Sequence, residues 1–598
     1  MANTLSKKLR IEGRIKLTII NKINQPSDLK KLSIEELEVL ASEIRDLLLN
    51  KVSQTGGHVG PNLGTVELTL AFHYVFDSPI DKIVWDVSHQ SYPHKIVTGR
   101  KYAWLDETKY KTVTGYTEPE ESQHDFFTVG HTSTSVSLAV GMAKARDIQK
   151  QEGNIVAVLG DGSLSGGLAL EGLNNAAELD SNLIVILNDN EMSIAENHGG
   201  MYRNLAELRK NNGQAETNLF TAMGLGYHYV EEGNNITEMI KAFESVKDSK
   251  QPLVLHVHTE KGHGYKPAVA NKERFHWQMP FDLETGDSKH TSSGESYDSV
   301  IVDVLDKKIK EEKQPIVAIT AAIPGLFGLK ELQKLHPEHY IDVGIAEQHS
   351  ITYAAGLAKS GAKPIVFHSS TFLQRAYDQL SHDLGINDLP AVLIVKGGRI
   401  SGGDPTHQGS FDIPYITSIP NIIYLAPTSK EEVQAMLHWA IDQKEHPVAI
   451  RIPERGFVSK PIDEESFHPL EWKIEKQGEK AAIIAAGSFL ALGRETVEKL
   501  EKQGIEATLI NPRSFTYFES ELLNKLQEDH QVVVTLEDGS LDGGYGEKIS
   551  RYYGRREMKV LNYGALKRFN NHQTMEELNR EFRLLPELIA EDVLKELK

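Results

Sequence analysis

Two five-residue runs, Ile-Val-Ala-Val-Leu at 155–159 and Leu-Ile-Val-Ile-Leu at 183–187, contain no polar side chain. A strand is apolar at every position only where both faces of its sheet are covered, as in a parallel sheet flanked by helices. Each run empties into a loop that carries oxygen ligands, Gly160-Asp161-Gly162 after the first and Asn188-Asp189-Asn190 after the second. Asp161 and Asn190 are 29 positions apart (190 − 161), enough for one crossover helix between parallel strands. Both side chains therefore arrive at strand carboxyl ends, where open α/β sheets bind ligands. One carboxylate, one amide oxygen and one backbone carbonyl are hard donors. They leave room in an octahedral Mg²⁺ shell for two diphosphate oxygens and a water. Asp-Gly is also ordinary turn punctuation, and it is the two flanking buried strands that lift this pair above a turn.

The chain has 598 residues, too many for a single core. A net charge of −19 with no local basic patch argues against a nucleic-acid partner. The absence of cysteine excludes disulfides, thiolate nucleophiles and thiolate metal sites. Residues 1–16 are basic without an apolar segment, so no signal peptide is read and a cytoplasmic location is expected. No stretch approaches membrane-spanning length, so no membrane partner is expected.

Ser33-x-x-Glu36 is a capping box that opens a helix over 33–50, with Leu37, Leu40, Ile44 and Leu47 on one face. A glycine-dense segment (56–64) precedes a second helix over 66–75. Three series of apolar strands follow. The first comprises 155–159, 183–187 and 253–257. The second comprises 315–320, 364–367, 391–395, 421–425 and 447–452. The third comprises 481–485, 506–510, 531–536 and 558–562. Polar connectors at 284–296 and 457–475 separate them. The pattern predicts an α/β protein of three domains with mostly parallel sheets, at 1–285, 297–456 and 476–598. Segment 200–218 shows little hydrophobic periodicity and is expected to be exposed and mobile.

Several constellations carry chemistry. Gly130-His131-Thr132-Ser133-Thr134-Ser135 sets hydroxyls and amides before a small-residue helix, which suits an anion or an ordinary cap. His58, His89, His94 and His131 fall in loops of the first domain. They contain no compact His-x-x-x-His pair, so phosphate binding or proton transfer fits them better than zinc. Glu347 lies in a small-residue context after a strand-like run. It reads either as a helix-starting carboxylate or as a buried acid for a heterocycle nitrogen. Phe372 can stack on an aromatic ring or fill core. Asp404 and His407, three apart in one loop, can shuttle a proton.

Taken in order, several motifs resemble the 1-deoxy-D-xylulose-5-phosphate synthases, thiamine-diphosphate enzymes of the transketolase superfamily. They are GGH (56–58), WDVxHQxYPHK (85–95), GHxSTS (130–135), GDG with NDN, KGxGY (261–265), DVGIAEQH (342–349), STFLQRAYDQ (370–379) and PTHQG (405–409). The resemblance runs from about residue 17 to the C-terminus and implies a transketolase-like fold. Its first domain would grip diphosphate and Mg²⁺, and its second the aminopyrimidine. It implies that Asp161, Asn190 and the Met192 carbonyl hold the metal. It implies that His89, Gly130, His131, Thr132, Gly162, Ser163, Asn190, Tyr265 and Phe372 contact thiamine diphosphate, and that Glu347 meets the pyrimidine N1′. His58, His276, His407 and Asp404 match residues that act around the substrates. The implied reaction joins pyruvate to glyceraldehyde 3-phosphate, a step toward isoprenoid precursors, thiamine and pyridoxal. The implied assembly is a homodimer.

The departures cluster. Ser369 stands where the family has tyrosine, and Lys396-Gly397-Gly398-Arg399 where it has Asp-Arg-Ala-Gly. Ile452-Pro453-Glu454-Arg455-Gly456 replaces Tyr-Pro-Arg-Gly, and the loop before His407 is one residue shorter. Glu231 to Asn235 replaces a Gly-Pro-x-Asp-Gly-His-Asp stretch, and the segment after the cation loop is shortened. By the resemblance, the changes at Ser369, 396–399, the shortened loop and 452–456 surround the acceptor phosphate, where Arg399 and Arg455 are the candidate forks. The alternatives are a paralogue that uses another aldehyde or sugar phosphate, a transketolase-type ketol transfer, and a non-catalytic binding protein.

Overall fold

The computed structural model describes residues 17–289, 294–463 and 466–597. The basic segment 1–16 and part of the 284–296 connector lie outside the described residues. The chain divides into two compact units, at Met1–Ser293 and Gly294–Lys598.

In the first unit, β1 (Lys82–Trp85), β2 (Ile155–Gly160), β3 (Ile184–Asp189), β4 (Gly226–Val230) and β5 (Leu253–His258) form one sheet in the order β1-β2-β3-β5-β4. All of its pairings are parallel. The wholly apolar strands behave as their composition demands. Val156, Val158, Ile184 and Ile186 enter the core on one face, while Ile155, Ala157, Leu159, Val185 and Leu187 enter a second core on the other. Helix Ile34–Thr55 covers the first face, opened by the expected capping box. Helix Ser135–Gln149 covers the second.

Segment 200–218 corrects the expectation of a mobile stretch. Residues Gly200–Lys210 form a helix that buries Leu205 and Leu208 against the second core. The apolar face is narrow, which hid its period among Asn, Arg and Glu. Polar anchors complete the docking: Arg209 pairs with the buried Asp189, and the Tyr202 hydroxyl donates to the Asp161 carbonyl at 3.1 Å.

The second unit holds two sheets. The first comprises β6 (Ile316–Thr320), β7 (Tyr340–Asp342), β8 (Lys363–Ser369), β9 (Val392–Lys396), β10 (Ile423–Leu425) and β11 (Val448–Arg451), ordered β10-β11-β9-β8-β6-β7 and parallel throughout. The other comprises β12 (Lys473–Lys476), β13 (Lys480–Ala485), β14 (Thr508–Asn511), β15 (His530–Ser540) and β16 (Lys559–Ala565), ordered β12-β14-β13-β15-β16. Only β12 runs antiparallel, and it lies at the end of the stretch read as connector 457–475. Ile319, Val366 and Leu393 of one sheet share a core with Ile484, Ile510 and Val533 of the other. Among the described residues no helix is long and apolar enough to cross a membrane.

Candidate active site

The carboxyl ends of β2 and β3 bring two carboxylates together. Asp161 and Asp189 are both buried. Their environments are unequal. Asp189 accepts from His256 Nε2 at 2.9 Å and pairs with Arg209. Burial pushes its carboxyl up, but His256 and Arg209 outweigh that and hold it at about 2. Asp161 accepts from the neutral Asn197 amide at 2.7 Å. Burial first, and then the Asp189 charge, push its carboxyl well above the usual range. Asn190 sits beside them, its Oδ1 accepting from the Met192 amide at 3.3 Å. Gly162 is required by packing, because a Cβ there would lie 2.7 Å from Ser193 Cα.

A second loop is tied to the first. Asp86, which directly follows β1, accepts the Ser133 and Ser135 amides at 2.7 and 2.9 Å. The Ser133 hydroxyl donates to the Ser163 carbonyl at 2.7 Å. Loop 130–135, with Gly130, His131 and Thr132, is thereby fixed beside the Gly162-Ser163 turn. Two hydroxyls at the start of helix Ser135–Gln149, Thr134 Oγ1 and Ser135 Oγ, are buried without a hydrogen-bond partner among the described residues. Asp86 and Ser133 were missed as site-builders. The signal was available, since an acid directly after a strand is placed to cap a neighbouring loop's amides.

Three histidines gather nearby. His58 and His89 ring centroids lie 4.9 Å apart, His89 and His276 stack at 5.0 Å, and His58 and His276 lie at 5.7 Å. A backbone bridge assembles this group from distant parts of the chain. Gly57 and Gln278 exchange hydrogen bonds of 2.9 and 3.0 Å, laying the His276 segment beside His58. Lys261, fully buried, donates to the Ser193 carbonyl at 2.5 Å and faces His276 Nδ1 at 3.1 Å. Burial lowers this lysine to about 7, against the pull of Asp161. Burial, Lys261 and the other two histidines push His276 well below its usual value. His276 is therefore neutral. Its ring also lies within hydrogen-bond reach of the Ser193 carbonyl that Lys261 holds.

His94 is not part of this group. It lies in helix Tyr92–Lys95, wholly buried between His73 Nε2 and Asp125 Oδ1, each at 2.9 Å. Arg100 closes that ion-pair network on Asp125. Tyr265 also has a structural bond, donating to the Leu283 carbonyl at 3.0 Å among Phe275 and Phe281.

In the second unit Glu347 begins helix Glu347–Lys359, close after β7, and is buried with the Arg375 guanidinium 3.4 Å away. The half-buried Phe372 meets His407 edge-on at 5.6 Å. Loop 402–409 is clamped down, since a Cβ on Gly409 would overlap the Gly397 carbonyl at 1.8 Å. Within it Asp404 Oδ1 accepts the Thr406 amide at 2.8 Å and the Thr406 hydroxyl at 2.5 Å. That hydroxyl has one hydrogen. Given to Asp404, it leaves the oxygen to accept from His407 Nδ1 at 2.8 Å. Burial raises Asp404, but His407 and Thr406 outweigh it and hold the acid at about 2. The relay fixes the proton on His407 Nδ1 and makes Nε2 its basic atom.

The two candidate phosphate forks differ. Arg399 is exposed and makes no ion pair among the described residues. Arg455 gives Nε and Nη2 to the buried Asp538 at 2.9 and 3.2 Å. Its fork already holds a protein carboxylate, which the sequence could not reveal because Asp538 lies 83 residues away in another sheet. Glu454 accepts the Gly397 amide at 2.6 Å, and Lys396 pairs with Asp298 at 2.6 Å.

A family model described as 1-deoxy-D-xylulose-5-phosphate synthase matches residues 20–218. The enzyme of that name from Syntrophomonas wolfei is 39% identical, covering 96% of each chain. The chain belongs to the 1-deoxy-D-xylulose-5-phosphate synthase family. Another member of this synthase family, from Caldanaerobacter subterraneus, is 40% identical over 97% of this chain and 99% of its own. Models described as the transketolase pyrimidine binding domain and C-terminal domain match 297–457 and 470–589, so the synthase fold continues through both sheets of the second unit. Synthases of this family are transferases that use thiamine diphosphate.

Proposed function

We propose that the chain joins pyruvate to D-glyceraldehyde 3-phosphate with loss of carbon dioxide, giving 1-deoxy-D-xylulose 5-phosphate, with thiamine diphosphate held through Mg²⁺. The observation that carries this reading is the incomplete carboxyl end of the first sheet. A buried acid there has its natural cations diverted to its neighbour, beside buried hydroxyls that have no hydrogen-bond partner among the described residues. A divalent cation and a diphosphate supply both missing parts.

The donor set fits the group. Asp161, Asn190 and the Met192 carbonyl are hard oxygen ligands suited to Mg²⁺. His89, Gly130, His131, Thr132, Gly162 and Ser163 would line the diphosphate, with Tyr265 nearby. Residues 1–285 would thus form the diphosphate domain, 297–456 the aminopyrimidine domain and 476–598 the third. When bound, thiamine diphosphate supplies the electron sink that lets pyruvate lose carbon dioxide.

The chain's residues position and move protons. Glu347 would accept the aminopyrimidine N1′ hydrogen bond, with Arg375 keeping the carboxylate oriented, and Phe372 would pack beside the ring. His276, with His58 beside it, would stabilise a developing alkoxide through a ring N–H. His407 presents a basic Nε2, and Asp404, acting through Thr406, holds that tautomer. Arg455 and Arg399 would meet the acceptor phosphate. A homodimer is the assembly we infer from the family, and sedimentation tests it.

The test incubates the protein with Mg²⁺, thiamine diphosphate, pyruvate and a panel of aldehydes, with products identified by mass spectrometry. The expected product is 1-deoxy-D-xylulose 5-phosphate. Product from other aldehydes only overturns the acceptor, and no carbon dioxide release with any of them overturns the reaction.

A further inference from the structure

At the carboxyl end of the second sheet, cations come already paired. Lys396 is held by Asp298, Arg451 by Asp412 and Arg455 by Asp538. The Arg451 pair is sealed, with both side chains at most 4% exposed. Arg455 is the accessible one, its side chain 34% exposed while Asp538 is wholly buried. The guanidinium packs over the Phe489 ring at 4.7 Å and turns its Nε–Nη2 edge to the carboxylate. A phosphate can take such a two-donor edge bidentately, and the carboxylate leaves it only the Nη1–Nη2 edge.

Asp538 cannot easily move aside. Its Oδ1 also accepts the Ile400 amide at 2.9 Å, and its carbonyl accepts Arg451 Nη2 at 2.8 Å. It stands at the end of β15, held by the sheet on one side and by the loop leading to Asp404 and His407 on the other. A phosphate that binds Arg455 must compete with a fixed internal anion.

We propose that Asp538 is an acceptor-specificity residue: its carboxylate compensates the Arg455 charge and occupies one of its two two-donor edges, and so narrows the preference for a phosphorylated aldehyde over the same aldehyde without phosphate. The proposal rests on the reading that the acceptor phosphate reaches Arg455. Asp538→Asn keeps an oxygen for the Ile400 amide and removes the charge.

Steady-state kinetics with D-glyceraldehyde 3-phosphate and with D-glyceraldehyde test it. In Asp538→Asn the KM for the phosphorylated aldehyde falls about ten-fold or more, the scale of one released charge-assisted hydrogen bond, while those for D-glyceraldehyde and pyruvate stay within about two-fold. Adding Arg455→Ala to this variant erases the gain. An unchanged or raised KM for the phosphorylated aldehyde, or an equal change for both aldehydes, overturns the proposal. If Arg455→Ala alone leaves the KM for D-glyceraldehyde 3-phosphate unchanged, the Arg455 reading itself fails. If it raises that KM but Asp538→Asn does not lower it, only the Asp538 proposal fails. Asp538→Ser, smaller and also neutral, gives the same comparison should the asparagine variant not fold.

Discussion

The carboxyl ends of the first and second sheets follow opposite electrostatic plans. In the first, two buried acids share one set of cations, and Asp161 is left with a neutral amide and a raised pKa. In the second, Arg451 and Arg455 each carry a protein carboxylate. One end lacks a positive charge that the proposed metal would bring. At the other, Arg451 and Arg455 are already compensated, so an anion that binds Arg455 competes with an internal carboxylate. A sheet end can therefore be prepared for a cation by withholding a partner, or made selective toward anions by supplying one.

The largest effect expected from this contrast is on stability. Asp412 accepts Arg451 Nε at 2.7 Å, Nη2 at 3.0 Å and the Tyr424 hydroxyl at 2.6 Å, all buried. Asp412→Ala strands a buried guanidinium, and a loss of about 3–5 kcal/mol is expected in urea unfolding. A loss below about 1 kcal/mol would mean that this end is not held by compensation. The opposite response is expected in the first sheet. Asp161→Asn removes one of two adjoining acids, so the melting temperature without cofactor rises. Thiamine diphosphate affinity in Mg²⁺ falls about 100-fold by calorimetry, the scale for a damaged metal site. A variant that is less stable without cofactor, yet binds it normally, breaks the comparison.

Acid titration gives the next, smaller effect. Asp404 is depressed to about 2. A carboxylate lowered on folding stabilises above its unfolded value of about 3.9, and that contribution is lost as pH falls toward the folded value. The wild type should lose on the order of 2 kcal/mol more than Asp404→Asn between pH 6 and pH 2. Equal losses would show that the Thr406 relay does not hold the acid.

The sequence announced those parts of the fold that are buried on both faces. The aliphatic strands β2, β3, β5 and β9 declare themselves because nothing but a covered sheet tolerates them. β4 (Gly226–Val230), half-buried at an edge, and β12, Lys-Ile-Glu-Lys, carry no such run and went unread. The site followed the same logic. Residues in compact motifs were legible, including Asp161, Asn190, Glu347 and the Asp404–His407 loop. Partners that arrive from elsewhere in the chain were not. Asp538 reaches Arg455 from another sheet, Lys261 faces His276 from 15 residues away in the same connection after β5, and Arg209 reaches Asp189 from a helix in the segment read as exposed and mobile.

That helix is the place for the finest test. Tyr202 donates to the carbonyls of Asp161 and Gly162 at 3.1 and 3.3 Å, so the hydroxyl holds the backbone of the cation loop without touching a carboxylate. If the first sheet end is a prepared cation site, its backbone must be set before the metal arrives, because Mg²⁺ demands near-octahedral geometry. Tyr202→Phe removes one shared hydrogen bond, worth about 1 kcal/mol, so a roughly five-fold weaker affinity for Mg²⁺ with thiamine diphosphate is expected. The pyruvate KM at saturating cofactor should not change, since Glu347 and the second sheet are untouched. An unaltered cofactor affinity would reduce the helix over Gly200–Lys210 to a cover for Leu205 and Leu208. A weakened one would make it part of the metal site, leaving the contrast between the two sheet ends to rest on backbone placement as well as on charge.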